Sequence, residues 1–112
     1  YAAKYYTWRT DDGKYEMSVT VWNKKYTNVM FKIYDVYYVN HRTGKATSTK
    51  NYSPLSVRLC NTSSGKCTSF KKFNKSGSVT FTNMKLGTYY VDIRDSWADY
   101  YFKGKITGNW ED

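Results

Sequence analysis

Leu55-Ser56-Val57-Arg58-Leu59-Cys60-Asn61-Thr62-Ser63-Ser64-Gly65-Lys66-Cys67-Thr68-Ser69-Phe70 reads as two strands joined by a turn and closed by a disulfide. Turn formers fill the positions between the cysteines, and the flanks alternate apolar with polar residues. Folding the stretch back with Cys60 opposite Cys67 sets Leu59 against Thr68, Arg58 against Ser69 and Val57 against Phe70. Apolar residues then share one face and polar residues the other, as a half-buried antiparallel pair requires. A disulfide between facing residues of such a pair is geometrically easy. Closing so short a ring stabilises a fold by about 2.5 kcal/mol on chain-entropy grounds. A zinc site would need two further ligands, and His41 is the only histidine. The expectation is therefore an oxidising, extracellular setting and a secreted protein.

The same period of two continues outward from this hairpin. Tyr15, Met17, Val19 and Val21 alternate with Glu16, Ser18, Thr20 and Trp22. Val29, Phe31 and Ile33 follow, after which Tyr34 to Val39 turn apolar on both faces and predict a strand covered on both sides. Val79/Phe81, Tyr89/Val91/Ile93 and Tyr100/Phe102/Ile106 repeat the alternation, and Lys4–Arg9 and Cys67–Phe73 add further strand-like segments. Turn chemistry separates them: Asp11-Asp12-Gly13 predicts a tight hairpin, as do Asn74-Lys75-Ser76-Gly77 and Lys85-Leu86-Gly87. No window carries a helical stripe and no internal repeat stands out. The pattern predicts one all-β domain over residues 1–112, an antiparallel β-sandwich of about seven to eight strands. A small β-barrel is the alternative. Asn40 to Pro54 has no periodicity and predicts a long loop, functional or mobile, crossing from sheet to sheet.

Leu, Ile, Val and Phe make up only 19 of the 112 residues, while Tyr, Trp and Phe number 13, 4 and 5. Low aliphatic content with high net charge is the composition of a disordered chain, so aromatic side chains are expected to supply much of the core. No apolar run approaches the length of a membrane span. The first residue is Tyr1 rather than Met, which fits a mature secreted chain.

The net charge is +9, and between Asp35 and Asp92 there are nine Lys and Arg with no acidic residue. A one-signed stretch points to an anionic partner. The candidate anion-binding residues are Arg42, Lys45, Lys50, Arg58, Lys66, Lys71, Lys72 and Lys75. A solvated basic face explains most of them equally well, because strand alternation turns Lys outward and Lys protects edge strands. Exposed-phase aromatics, Trp22, Tyr90 and Tyr101, with Tyr37 and Tyr38 of the two-faced strand, form a second candidate surface suited to sugar rings or protein interfaces, although strand propensity and packing account for them too.

Enzyme inventories are poor. There is no phosphate-cradling glycine loop and no nucleophile elbow. The best enzyme constellation is a small basic ribonuclease with Glu16 or Glu111 as base, His41 as acid and Arg42 or Arg94 for phosphate. Asp11, Asp12, Asp92, Asp95 and Asp99 would have to converge to hold Ca²⁺, yet turn and capping roles account for them. No cofactor and no metal is expected.

Gly87-Thr88-Tyr89-Tyr90-Val91-Asp92-Ile93, following Val79-Thr80-Phe81, resembles the penultimate-strand pattern Gly-Thr-Tyr-x-Val of prepeptidase C-terminal domains and Cna B-type surface repeats. The composition is also similar to that of small secreted proteins of Gram-positive bacteria. The resemblance covers some fifteen residues and implies a secreted or surface-displayed β-sandwich of binding or structural character. No Lys, Asn and acid triplet for the isopeptide bond of the Cna B type is found in the chain. The functional expectation is a non-enzymatic module whose basic face engages an anionic extracellular polymer, cell wall or membrane surface. The alternatives are a secreted antimicrobial or toxin effector and a nucleic-acid-binding β-barrel.

Overall fold

Residues favouring strands dominate the chain, and in the computed structural model, which describes residues 5–11, 13 and 15–111, they form nine strands and no helix. The strands are β1 (Tyr6–Arg9), β2 (Met17–Val21), β3 (Asn28–Asn40), β4 (Ala46–Ser48), β5 (Leu55–Asn61), β6 (Lys71–Lys72), β7 (Ser78–Phe81), β8 (Gly87–Asp95) and β9 (Tyr100–Glu111). All pairings are antiparallel. One sheet runs β1-β9-β3, with β7 beside the first half of β3 and β4 beside its second half. The other runs β2-β8-β5-β6. The two sheets pack face to face as a β-sandwich with one disulfide, Cys60–Cys67.

The core between the sheets is built from both kinds of apolar residue. Phe31, Phe81, Phe102, Phe73, Tyr89 and Trp8 contribute, and every Val and every Ile of the chain is also buried. A small aliphatic complement suffices because none of those residues lies on the surface. Tyrosine is mostly half-buried or exposed, with Tyr89 the buried one among the described residues. Near the β8–β9 connection, Tyr38, Trp97, Tyr100 and Phe102 form a cluster of ring pairs with centroids 5.3–6.1 Å apart. It closes that end of the sandwich with aromatic contacts.

The hairpin follows the predicted register only at its tip. Cys60 faces Cys67, and the Thr68 amide donates to the Leu59 carbonyl at 2.8 Å. Beyond that point Val57 pairs with Lys71, not with Phe70 as predicted, and Ser56 pairs with Lys72. The hydroxyl of Thr68 takes the hydrogen bond from the Leu59 amide that a regular ladder would give to its carbonyl. One extra residue is thereby accommodated, and Phe70 leaves the core for the outer face. Phe73 is buried in its place. Because the disulfide closes the regular part of this hairpin, reduction or the double change Cys60→Ser/Cys67→Ser is expected to lower stability by about 2.5 kcal/mol. Urea titration with and without reductant measures it.

A second irregularity explains the two-faced reading of Tyr34 to Val39. Tyr34 pairs with Lys105 but Tyr37 with Lys103, so β3 carries a bulge opposite Gly104. Before it, Val29, Phe31 and Ile33 face the core; after it, Val36 and Tyr38 do. The alternation changes phase at the bulge, and Val39, on the opposite phase from Val36 and Tyr38, is buried as well. Asp35 forms the bulge at φ 50°. Gly104 is required opposite, since a Cβ there would lie 3.1 Å from the Tyr34 carbonyl oxygen and 3.2 Å from the Val36 Cα.

Connections differ from prediction in kind. β1 and β2 belong to different sheets and do not pair with each other as the predicted hairpin at Asp11-Asp12-Gly13 requires; Asp12 lies outside the described residues. The connections after Phe73 and Phe81 likewise cross between sheets. The predicted loop Asn40 to Pro54 contains β4, which returns along β3, and only residues 49–54 cross over. β4 has no apolar alternation because it is an edge strand in solvent, with alternating exposed residues.

Candidate functional site

The turns that carry the basic residues share one construction. In Asn40-His41-Arg42-Thr43-Gly44-Lys45 the Asn40 side-chain oxygen accepts from the amides of Arg42 and Thr43, and the Gly44 amide donates to the Asn40 carbonyl. In Asn61-Thr62-Ser63-Ser64-Gly65-Lys66, Asn61 does the same for Ser63, Ser64 and Gly65. Asn caps the turn and Gly supplies the left-handed position, at φ 73° and 74°. The pattern Asn-x-x-(Ser/Thr)-Gly-Lys thus occurs twice, once in the expected Cys60–Cys67 turn and once within the stretch expected to be a long loop.

The two turns sit at opposite ends of the sandwich. Asn40 pairs with Tyr100 and Leu55 with Asp95 at one end, while Asn61 pairs with Tyr89 at the other. Arg42 and Lys45 are therefore separated from Lys66 by the length of the sheets. Lys75 lies in the β6–β7 turn and Lys50 in the crossover after β4. The eight candidate residues do not form one patch.

A subset converges on the outer face of the β2-β8-β5-β6 sheet. Leu55, Val57 and Leu59 point into the core, so Ser56, Arg58 and Cys60 point out, opposite Arg94, Asp92 and Tyr90 of β8. Phe70, displaced by the hairpin irregularity, lies among them. The Arg94 guanidinium carbon sits 3.6 Å from its ring centroid and that of Arg58 4.7 Å. Arg94 Nε donates to Ser56 Oγ at 3.2 Å, satisfying a hydroxyl that is only 6% exposed. Arg58 Nε pairs with Asp92 at 2.8 Å. A shallow pocket of about 400 Å³ opens beside Arg94, Phe70 and Lys72. The Lys72 ammonium donates to the Ser53 carbonyl, and that of Lys71 turns instead to the Thr80 carbonyl and the Phe81 ring. Arg94 was absent from the anion-binding set. Its outward phase was readable from Val91 and Ile93, but its approach to Phe70 and Ser56 depends on which strands pair.

A larger groove, about 700 Å³, lies on the other sheet between β1, the residues before β2, the β3 bulge and the middle of β9. Its charged groups are internally matched. Lys105 Nζ lies 3.2 Å from Asp35, and Arg9 makes two bonds to Asp11, at 2.7 and 2.9 Å. The Arg9 hydrogen bond holds the Asp11 carboxyl below its ordinary pKa, and the Asp35 carboxylate holds the Lys105 ammonium above its own.

The ribonuclease constellation is scattered. Glu16 accepts from the Arg9 amide in the groove, whereas His41 lies in the β3–β4 turn with its ring beside Tyr101, and Arg94 lies on the other sheet. Of the acidic residues weighed for calcium, Asp11 and Asp92 pair with arginines, while Asp95 bonds Thr10 and accepts from the Trp97 amide. Among the described residues no group of three potential ligands is placed to hold a metal ion.

No family model matches the chain, and no curated protein matches it. A solved structure, that of the SPBc2 prophage-derived protein YomS, is similar over 92% of each chain at 15% identity, with a TM-score of 0.31. At that TM-score the likeness carries no functional meaning. The Gly-Thr-Tyr-x-Val segment is β8, the strand between β2 and β5, and what holds of the resemblance is its coarser content, a small all-β module.

Proposed function

We propose that this domain is a secreted, non-enzymatic binding module that engages an anionic, phosphate-bearing extracellular polymer such as a teichoic-acid-like wall component. The observation that carries the reading is the stacking of Arg58 and Arg94 on Phe70 beside Lys72. A stacked guanidinium is held in place with donor edges still available, and Arg binds phosphate in a planar fork. The surplus of positive charge elsewhere on the domain adds long-range attraction to a polyanion. A nucleic acid is the poorer partner, because two guanidinium groups over Phe70 leave less ring face for a base to stack on.

Binding to purified, teichoic-acid-bearing cell wall tests the proposal. Affinity is expected to fall steeply as salt rises. Arg94→Gln is expected to weaken binding about tenfold, the loss of one charge-assisted contact, while Lys66→Gln, at the far end, leaves it nearly unchanged. Salt-insensitive binding, or an Arg94→Gln variant that binds like the wild type, removes this face as the site.

A further inference from the structure

We infer that the groove between β1 and the β3 bulge is a separate binding site for a neutral saccharide. It is an open groove whose volume, about 700 Å³, is large enough for a small organic ligand. Tyr15 and Tyr37 are among its lining residues and remain 50% and 39% exposed. Tyr15 is not loose: it stacks on Tyr90 with centroids 4.7 Å apart and planes 5° apart, so its orientation is set. Aromatic rings held at a wet wall suit the C–H faces of a pyranose.

The polar groups favour a polyol. The lining cations Arg9, Lys103 and Lys105 are set against the carboxylates of Asp35 and Glu16, and Asp11 pairs with Arg9 from beside the groove, so acceptors and donors stand together with little unbalanced charge. Glu16, from the segment before β2, adds a carboxylate to the lining. Sugar hydroxyls both donate and accept, and they are met by such alternation; a phosphate would find no surplus of cations here, with carboxylates beside each of them. This distinguishes the groove from the Arg58–Phe70–Arg94 face on the other sheet.

Backbone strain points to the same place. Asp35 holds φ 50° in the middle of a 13-residue strand, opposite a glycine that no larger residue can replace without displacing backbone. Bulges at strand centres re-aim side chains, and left-handed non-glycine residues concentrate at ligand sites. Here the bulge brings the Asp35 side chain to the groove wall.

The test is titration of the intact domain with uncharged oligosaccharides: N-acetylglucosamine, glucose and mannose trimers, followed by NMR shifts and calorimetry. At least one trimer is expected to bind saturably, to shift tyrosine ring signals and to keep its affinity as salt rises. Tyr37→Ala, at an exposed position, is expected to weaken binding at least tenfold. Asp35→Gly, which relieves the left-handed strain, is expected to weaken it several-fold without lowering the melting temperature. Arg94→Gln leaves sugar binding unchanged. The inference is overturned if no trimer binds, if Tyr37→Ala and Asp35→Gly bind normally, if Arg94→Gln abolishes the signal, or if short peptides occupy the groove and the sugars do not. Loss of cell-wall binding with sugar binding intact, or the reverse, separates this site from the polyanion face.

Discussion

Trp8→Ala is expected to lower stability by about 4 kcal/mol, within the range for truncating a buried large aromatic, and the melting temperature by about 15 °C. β1 has four residues and lies at the edge of its sheet, paired only with β9. Trp8 is its sole buried side chain, 3% exposed, and its indole Nε1 donates to the Lys105 carbonyl at 3.0 Å. The substitution leaves a cavity, removes that tie and leaves four ladder positions to hold the strand alone. Equilibrium unfolding by circular dichroism gives the stability change, and hydrogen exchange of β1 amides reports whether the strand opens independently. A loss below about 1 kcal/mol would mean that β1 contributes little to holding the fold together. The same variant is expected to abolish binding in the groove, which β1 walls.

Gly77→Ala is expected to cost about 3 kcal/mol, from overpacking against backbone combined with left-handed strain. Gly77 has φ 84°, and a Cβ there would lie 2.6 Å from the Ile33 carbonyl oxygen and 3.2 Å from the Tyr52 ring. Its own carbonyl accepts from the Ile33 amide at 2.9 Å, so the turn between β6 and β7 is pressed onto β3 and cannot retreat without breaking that bond. Gly44 and Gly65 provide internal controls. They share the left-handed conformation but have nothing within 4 Å of the added carbon. Each is expected to lose only about 1 kcal/mol on change to Ala, the conformational part alone. Denaturant midpoints of the three variants measure the difference. Equal losses would show that contact with Ile33 adds nothing to the conformational strain.

The two register irregularities show where strand alternation stops informing. At Val57 and Phe70 the predicted pairing assumed an unbroken ladder, and a single inserted residue moved Phe70 from the core to the outer face, where it meets Arg58 and Arg94. At Asp35 the same kind of insertion shifts the phase of one strand in mid-course. Bulges are local departures of the backbone, and side-chain type alone does not announce them: Asp35 and Gly104 are ordinary residues until they are placed opposite each other. The Asn-Gly turns were legible because Asn and Gly have conformational preferences of their own.

The charge pattern separates the two levels of information. That the chain is all-β, that every Val and Ile is buried, and that Cys60 meets Cys67 follow from period two, residue size and short spacing, which are local properties. The stretch without acidic residues between positions 35 and 92 is equally real along the chain, yet it does not persist in space. Asp92 comes from outside it to pair with Arg58, 34 positions away, and Arg94 reaches Ser56 from 38 positions away. Alternation states which face a side chain occupies but not which strand lies beside it. That neighbour is chosen by packing of the two whole sheets, and it decided which cations are neutralised, which are stacked, and where a ligand can meet them.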